Sequence, residues 1–312
     1  MQQDAPGYVR IKVSEAIKEH AAEILELRKL YDQAKEESDL VLLRYVLSFP
    51  EVKKAGEALT KARKYREENK SWLEHARKIK ELPSEQVYAL CPAYDKLKKH
   101  MVIPSNHKTT VRFLFSFLSS FCSTINDKVF GGPICYIRAG MTDLDRLLQH
   151  VSVEELTQYF VFDKEVIYNL CDEATKKSGF LTKALYIMDS SNISMFPNRR
   201  FFGALGDSSK VSETLHPQLV QRQCVINAGL AFRTVFKVAS LFMSKKTLER
   251  FTICTSFSEK ESALACPYIS KWVHDMSVLP TFCGGTCECE DGCLSHIPNS
   301  YKGYVIDLRE KK

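Results

Sequence analysis

Apolar positions in the first hundred residues recur at helical spacing. Across 15–37, Ile17, Ile24, Leu27, Leu30 and Tyr31 stand among charges, which predicts one amphipathic helix. Ser38-Asp39 offers a cap for a short, nearly all-apolar helix from Asp39 to Val46, and Phe49-Pro50 ends it. Glu51 to Asn69 reads as a long polar helix with Val52, Ala55, Leu59 and Ala62 as its inner stripe, and 72–82 as a further helix. No strand pattern interrupts this stretch. Residues 1–100 are expected to be an all-helical module.

From about residue 101 the pattern alternates. Gly131-Gly132-Pro133 is a turn and Ile134 to Ala139 a strand. Ser152-Val153-Glu154-Glu155 carries the Ser and Glu of a capping box and opens a helix to about Lys177. Leu185 to Asp189 is the next strand. Residues 195–215 are expected to be mostly helical with a break near Gly203–Gly206. Cys224 to Asn227 reads as a short buried strand, Gly229 to Arg250 as a long helix, Phe251 to Cys254 as a fourth strand, and 259–277 as a last helix. Such alternation predicts a mostly parallel α/β sheet with crossover helices. The expected division is a module at 1–100, a lobe at 101–300 and a tail at 301–312.

The helix after Gly229 has two unlike sides. Arg233, Lys237 and Ser240 fall within an arc of about 60°. Ala231, Phe232, Val235, Phe236, Val238, Ala239 and Phe242 fill the other side. That pattern suits either an ordinary cover for the sheet or a lid over an apolar ligand. The aromatic run Phe113 to Leu118 likewise suits core or a pocket wall.

Composition narrows the function classes. Hydrophobic residues make up 45% and charged residues 26% of the 312, as in ordinary globular proteins. The net charge of +6 is a mild excess with no basic block interleaved with aromatics, so nucleic acid is not an expected partner. A weak attraction to anionic membranes is compatible with it. The polar start, Met1 to Pro6, lacks the apolar core of a signal peptide. Seven of the 11 cysteines stand singly, mostly in apolar stretches. A reducing, cytoplasmic setting is expected.

The usual catalytic signatures are missing. There is no Walker motif, no Gly-x-Gly-x-x-Gly after a strand and no Gly-x-Ser-x-Gly. Neither an enzyme nor a cofactor is expected. Asp189, at a strand's carboxyl end, is either functional or the N-cap of the next helix. Cys283, Cys287, Cys289 and Cys293 crowd the tail beside His296. Their spacing fits no standard zinc ribbon, so a zinc site and free or redox-sensitive thiols are both open.

Taken together, the chain resembles the CRAL-TRIO lipid-binding proteins, the family of fungal and plant phosphatidylinositol transfer proteins. Four passages carry the likeness. They are Asp39 to Val46 with Val52-Lys53-Lys54-Ala55; Pro133 to Arg138; Ile187-Met188-Asp189; and Leu215-His216-Pro217 with Val225-Ile226-Asn227-Ala228 and Phe236-Lys237. The ending, Leu279-Pro280 through Gly284-Gly285-Thr286-Cys287 to Gly292-Cys293-Leu294, is similar to that of plant-type members.

The resemblance implies a helical module on a lobe whose sheet floors an apolar pocket for one phospholipid, gated by a mobile helix. It makes Phe232, Val235, Phe236, Ala239 and Phe242 pocket or gate residues. Tyr186, Gln218, Thr247 and Arg250 become headgroup candidates. Phosphatidylinositol-binding members have Glu where this chain has Gln218, and Lys where it has Arg250. The Ser-x-Thr that meets phosphatidylcholine is Ala184-x-Tyr186 here. The expected protein is a monomeric carrier in the cytoplasm, peripheral on membranes, exchanging its ligand there. The alternative is a lipid- or isoprenoid-sensing module that recruits a partner protein to membranes.

Overall fold

The structure is a computed structural model. It describes residues 3–5, 8–82, 84–100, 113–114, 121–124, 132–138, 144–191, 193, 198–243, 245–253, 269 and 273. The described part of the first hundred residues is helical after a two-stranded start, β1 (Gln3–Ala5) and β2 (Tyr8–Val9). Then come α1 (Val13–Glu19), α2 (Ala21–Leu30), α3 (Asp32–Lys35), α4 (Asp39–Ser48), α5 (Val52–Glu68) and α6 (Lys70–Leu73). A 3-10 turn at Glu74–Lys80 leads to α7 (Ser84–Tyr88) and α8 (Tyr94–His100).

The helix expected over 15–37 is therefore three. Its last break has a visible cause. Tyr31 leaves the helix in an extended conformation, and its hydroxyl donates to the Lys53 carbonyl at 3.1 Å. Its ring lies over Gly56, where a Cβ would come within 2.0 Å of the ring. The cap at Ser38 forms as expected, its hydroxyl accepting from Val41 N–H at 3.4 Å. The early strands were not expected. Farther on, Lys12 bridges Phe180 and ties the start of the module to the end of a lobe helix.

The lobe sheet runs β3 (Phe113–Leu114), β4 (Phe121–Thr124), β5 (Pro133–Arg138), β6 (Ala184–Asp189), β7 (Val220–Ile226) and β8 (Phe251–Ile253), in that spatial order. The first two pairings are antiparallel and the next three parallel. The helices are α9 (Leu144–His150), α10 (Val153–Ser178), α11 (Arg199–Leu215), α12 (Leu230–Ala239) and α13 (Lys245–Leu248), with a 3-10 turn at Ser240–Phe242. Strands stepping one way across a sheet by right-handed crossovers put their helices on one face.

α10 begins at the predicted capping box, with Ser152 and Glu155 satisfying each other's backbone N–H groups at 3.0 and 2.9 Å. It ends at Gly179, whose φ of 74° needs glycine.

Three boundaries differ from the sequence reading. α11 runs unbroken through Gly203–Gly206, because packing against α10 and α5 outweighs glycine's weak helix propensity. β7 starts at Val220 rather than Cys224, its polar first half held by ladder bonds to β6 across a register shift. The helix after Gly229 stops at Ala239. Its end tightens into a 3-10 turn, Ser240 donates back to the Lys237 carbonyl at 2.8 Å, and Met243 is extended. The expected helix at 259–277 lies outside the described residues except for Ile269 and Val273, both buried.

Candidate functional site: a sheet face under an aromatic helix

Pairing register sets which side chains share a face of the sheet. One cross-strand row reads Cys135, Tyr186, Gln223, Phe251, and the next Ile137, Met188, Val225, Ile253. Apolar packing on this face divides into two clusters among the described residues. Cys135, Ala184 and Tyr186 belong to the main core shared with α10 and the helical module. Val225, Ala228 and Phe232 form a second cluster, joined by Met188, Ile193, Phe236 and Phe251.

α12 covers the second cluster. Phe232, Val235 and Ala239 are buried. Phe236 is half-buried, stacks on Phe232 at 5.5 Å and tilts against Phe251 at 5.1 Å. Phe242 sits in the following 3-10 turn; its side chain lies outside the described residues. At 100° per residue, Leu230, Arg233, Thr234, Lys237 and Leu241 share the outer side. Leu230 is 75% exposed and Leu241 81%. No Asp or Glu lies between Glu213 and Glu249.

The four headgroup candidates divide. Tyr186 is buried in the middle of β6. Thr247 and Arg250 meet at the turn before β8, where Arg250 N–H donates to the Thr247 carbonyl at 3.1 Å. The Arg250 carbonyl accepts from Gln223 N–H at 2.9 Å, which sets this turn against β7. Burial pushes the Arg250 guanidinium down, opposed by Glu213. Gln218 goes elsewhere. It is buried at a φ of 62°, and its amide donates to Ser48 Oγ of α4 at 3.0 Å.

Sequence reasoning missed a buried polar cluster beside Gln218. Glu165 of α10 accepts from Arg66 of α5 at 2.7 Å and contacts His216 Nε2 at 2.8 Å. Burial alone would raise the Glu165 carboxyl. Arg66 and His216 overcome this and hold it at about 2. Burial lowers His216, which Glu165 opposes. Arg66 also donates to the Leu215 carbonyl at 3.3 Å, and Tyr45 to that of Thr214 at 2.9 Å. A cleft of about 230 Å³ opens at this junction, lined among others by Tyr45, Arg66, Arg77, Glu165 and Tyr168. Arg66 and Glu165 lie 99 residues apart in the chain, so no local motif announces them.

Asp189 is not a helix N-cap, since α11 begins ten residues later. Its Oδ1 accepts from Ser191 N–H, Ser191 Oγ and Asn227 Nδ2 at 3.0, 2.7 and 2.9 Å. It thereby ties the carboxyl ends of β6 and β7. The tail cysteines lie outside the described residues. Among the described residues no group of three or more His, Cys, Asp or Glu could hold a metal ion. Cys91, Cys135, Cys171 and Cys224 are buried and in no disulfide.

A family model described as CRAL/TRIO domain matches residues 119–285, which include β5 to β8 and α9 to α13. The chain belongs to the CRAL/TRIO domain family. Within it, one curated relative is the phosphatidylinositol/phosphatidylcholine transfer protein SFH11 of Arabidopsis thaliana, 28% identical over 174 residues. That alignment covers 53% of this chain and 43% of the relative. The Sec14 cytosolic factor of Schizosaccharomyces pombe is 24% identical over 169 residues, covering 52% of this chain and 55% of that one. The alignments thus span about half the length of these relatives or less. Among solved structures, the crystal structure of Sfh5 covers 100% of this chain and 99% of its own, at 11% identity and a TM-score of 0.49.

Proposed function

We propose that this CRAL/TRIO protein is a lipid carrier. It holds one phospholipid or similar lipid between the divided face of the sheet and α12, and exchanges it at membrane surfaces. The observation that carries the reading is the aromatic underside of α12. Phe232, Phe236 and Phe251 form one run of ring contacts packed with Met188 and Val225, a cover that a small outward movement of one ten-residue helix would open. Each buried CH₂ of an acyl chain gains about 0.8 kcal/mol, so an apolar site of this kind can compete with a bilayer. The relatives' names, as phosphatidylinositol/phosphatidylcholine transfer proteins, point the same way.

The ligand is the only small molecule this reading needs, with no cofactor and no catalytic step. Tyr186, Thr247 and Arg250 are its candidates for the polar end of the ligand, and Phe232, Val235, Phe236, Ala239 and Phe242 for the pocket and gate. The helical module over 1–100 serves as a platform for a lobe over 101–300. The protein works as a cytoplasmic monomer, peripheral on membranes. No helix among the described residues is long and apolar enough to cross a bilayer. The outer side of α12 supports a membrane encounter, since exposed Leu230 and Leu241 flank Arg233 and Lys237 in a stretch of chain that has no carboxylate between Glu213 and Glu249.

The test is native mass spectrometry of the purified chain, followed by lipid transfer between vesicles. One lipid per chain and measurable transfer are expected. An empty protein that moves no lipid would overturn the proposal.

A further inference from the structure

Gln223 stands out on the proposed ligand-facing side of the sheet. It is a polar residue in the row Cys135, Tyr186, Gln223, Phe251. Its row neighbours belong to different clusters, Tyr186 to the main core and Phe251 to the α12 cluster. Gln223 therefore lies at the seam between them. It is only half-exposed, and its side-chain amide makes no hydrogen bond among the described residues.

Two residues earlier in the strand, at the register shift, Gln221 has a buried side-chain oxygen with no hydrogen-bond partner among the described residues. A buried amide left unpaired is costly, and folded proteins rarely keep one without a use. Gln221 and the half-exposed Gln223 stand two apart at one end of one strand, and Gln223 shares its row with Tyr186; their side chains offer donors and acceptors without formal charge.

We propose that Gln223, with Gln221 and Tyr186, recognises an uncharged hydrogen-bonding group at the polar end of an apolar ligand. A hydroxyl or an ester carbonyl has that chemistry. An amide offers both an N–H donor and a C=O acceptor, so it serves a hydroxyl and an ester equally well. Gln218, the other glutamine of this segment, is already committed to Ser48 and leaves the task to this pair. The inference rests on the lipid-carrier reading and adds the chemistry that selects the ligand. An ester would come from a phospholipid, whereas a hydroxyl alone would come from a neutral lipid alcohol.

The full chain would be incubated separately with oleyl alcohol, 1-octadecene and dioleoyl phosphatidylcholine, and uptake read by native mass spectrometry. Wild type is expected to favour a polar-ended probe over 1-octadecene. Preference for oleyl alcohol alone identifies the hydroxyl source, and preference for the phosphatidylcholine the ester source. Gln223→Met, close in length and without the amide, should lose roughly tenfold of that preference while taking up 1-octadecene undiminished. Gln221→Met provides a second variant should the first fold poorly, with circular dichroism as the check on both.

Folded variants that keep wild-type selectivity would sink the Gln223 assignment and leave the carrier standing. Wild-type chain that takes up none of the three probes would overturn the carrier and this inference together.

Discussion

The side-chain amide of Gln218 donates to Ser48 Oγ at 3.0 Å, buried at the junction of the helical module and the lobe. The two residues are 170 apart in sequence. The family resemblance implies a Glu at this position, and the Gln218 amide here makes a neutral pair with α4. Ser48→Ala should leave that amide buried and unsatisfied, lowering stability by about 1–2 kcal/mol. Removing both polar groups in Ser48→Ala/Gln218→Leu should recover part of the loss, since an apolar pair has nothing left unsatisfied. Urea denaturation of the two variants checks both statements.

A stronger junction contact is the Glu165 carboxylate between Arg66 and His216. Its folded pKa, about 2, lies below the ordinary 4.5, so it contributes stability above pH 4.5 that is lost as pH falls toward 2. His216 is also depressed from its ordinary 6.5. Its neutral form is favoured by folding, so stability declines as pH falls below 6.5. Asp163 runs the other way. Burial raises it to about 7 against the Tyr88 hydroxyl, so its contribution is present at low pH and is lost as pH rises toward 7.

The difference between wild type and Glu165→Gln isolates the junction from Asp163. It should be about 3 kcal/mol at pH 7 and shrink steadily below pH 4.5. Denaturation midpoints at pH 7, 5.5 and 4 read it. A difference independent of pH would contradict the assignment.

Much of this architecture is legible in the sequence because it is local. The capping box at Ser152 and Glu155, the strand ending at Asp189 and the cap at Ser38 each follow from a few adjacent residues. What the sequence conceals is set at a distance. The break at Tyr31 needs Gly56. The early end of α12 needs a turn that periodicity does not register. The Glu165 cluster needs α5, α10 and the approach to β7 to meet. The proposed site shares this limit, for the aromatic side of α12 shows in the helical period, but Gln223 becomes notable only through its row neighbours.

Gly56 gives a prediction whose sign is a contest. Glycine to alanine inside a helix ordinarily gains about 0.5–1 kcal/mol. Here the new methyl would strike the Tyr31 ring, and moving the ring would break its bond to the Lys53 carbonyl. Gly56→Ala should therefore cost about 1–2 kcal/mol net. The same change in a Tyr31→Ala background should turn neutral or favourable. Thermal melts of the four proteins complete the cycle.

The outer side of α12 can be tested apart from its inner side. Leu230→Ser/Leu241→Ser removes exposed apolar surface without touching the stacked phenylalanines. Melting temperature and bound lipid should stay unchanged. Sedimentation with anionic vesicles, and the rate of transfer from them, should fall roughly fivefold to tenfold, since each leucine side chain adds about 1 kcal/mol or more on entering an interface. An unchanged transfer rate would show that the gate does not meet the membrane through this side.

Phe236 and Phe232 lie one turn apart on the inner side, yet a charge should affect them differently. Phe232 is 4% exposed and belongs to the buried centre of the α12 cluster. An aspartate there must be desolvated among Val225, Ala228 and Phe236, so Phe232→Asp should destabilise the fold by about 3 kcal/mol or more. Phe236 is half-buried at the margin, between Phe232 and Phe251. Phe236→Asp can turn its carboxylate toward water, at the cost of two ring contacts worth about 1–2 kcal/mol. The charge then stands at the edge of the cover under which the lipid is proposed to lie. Loading should fall by an order of magnitude or more while the melting temperature drops only a few degrees. If Phe236→Asp carried lipid at the wild-type level, this margin of α12 would not border the pocket, and the entrance would have to be sought along another edge of the sheet.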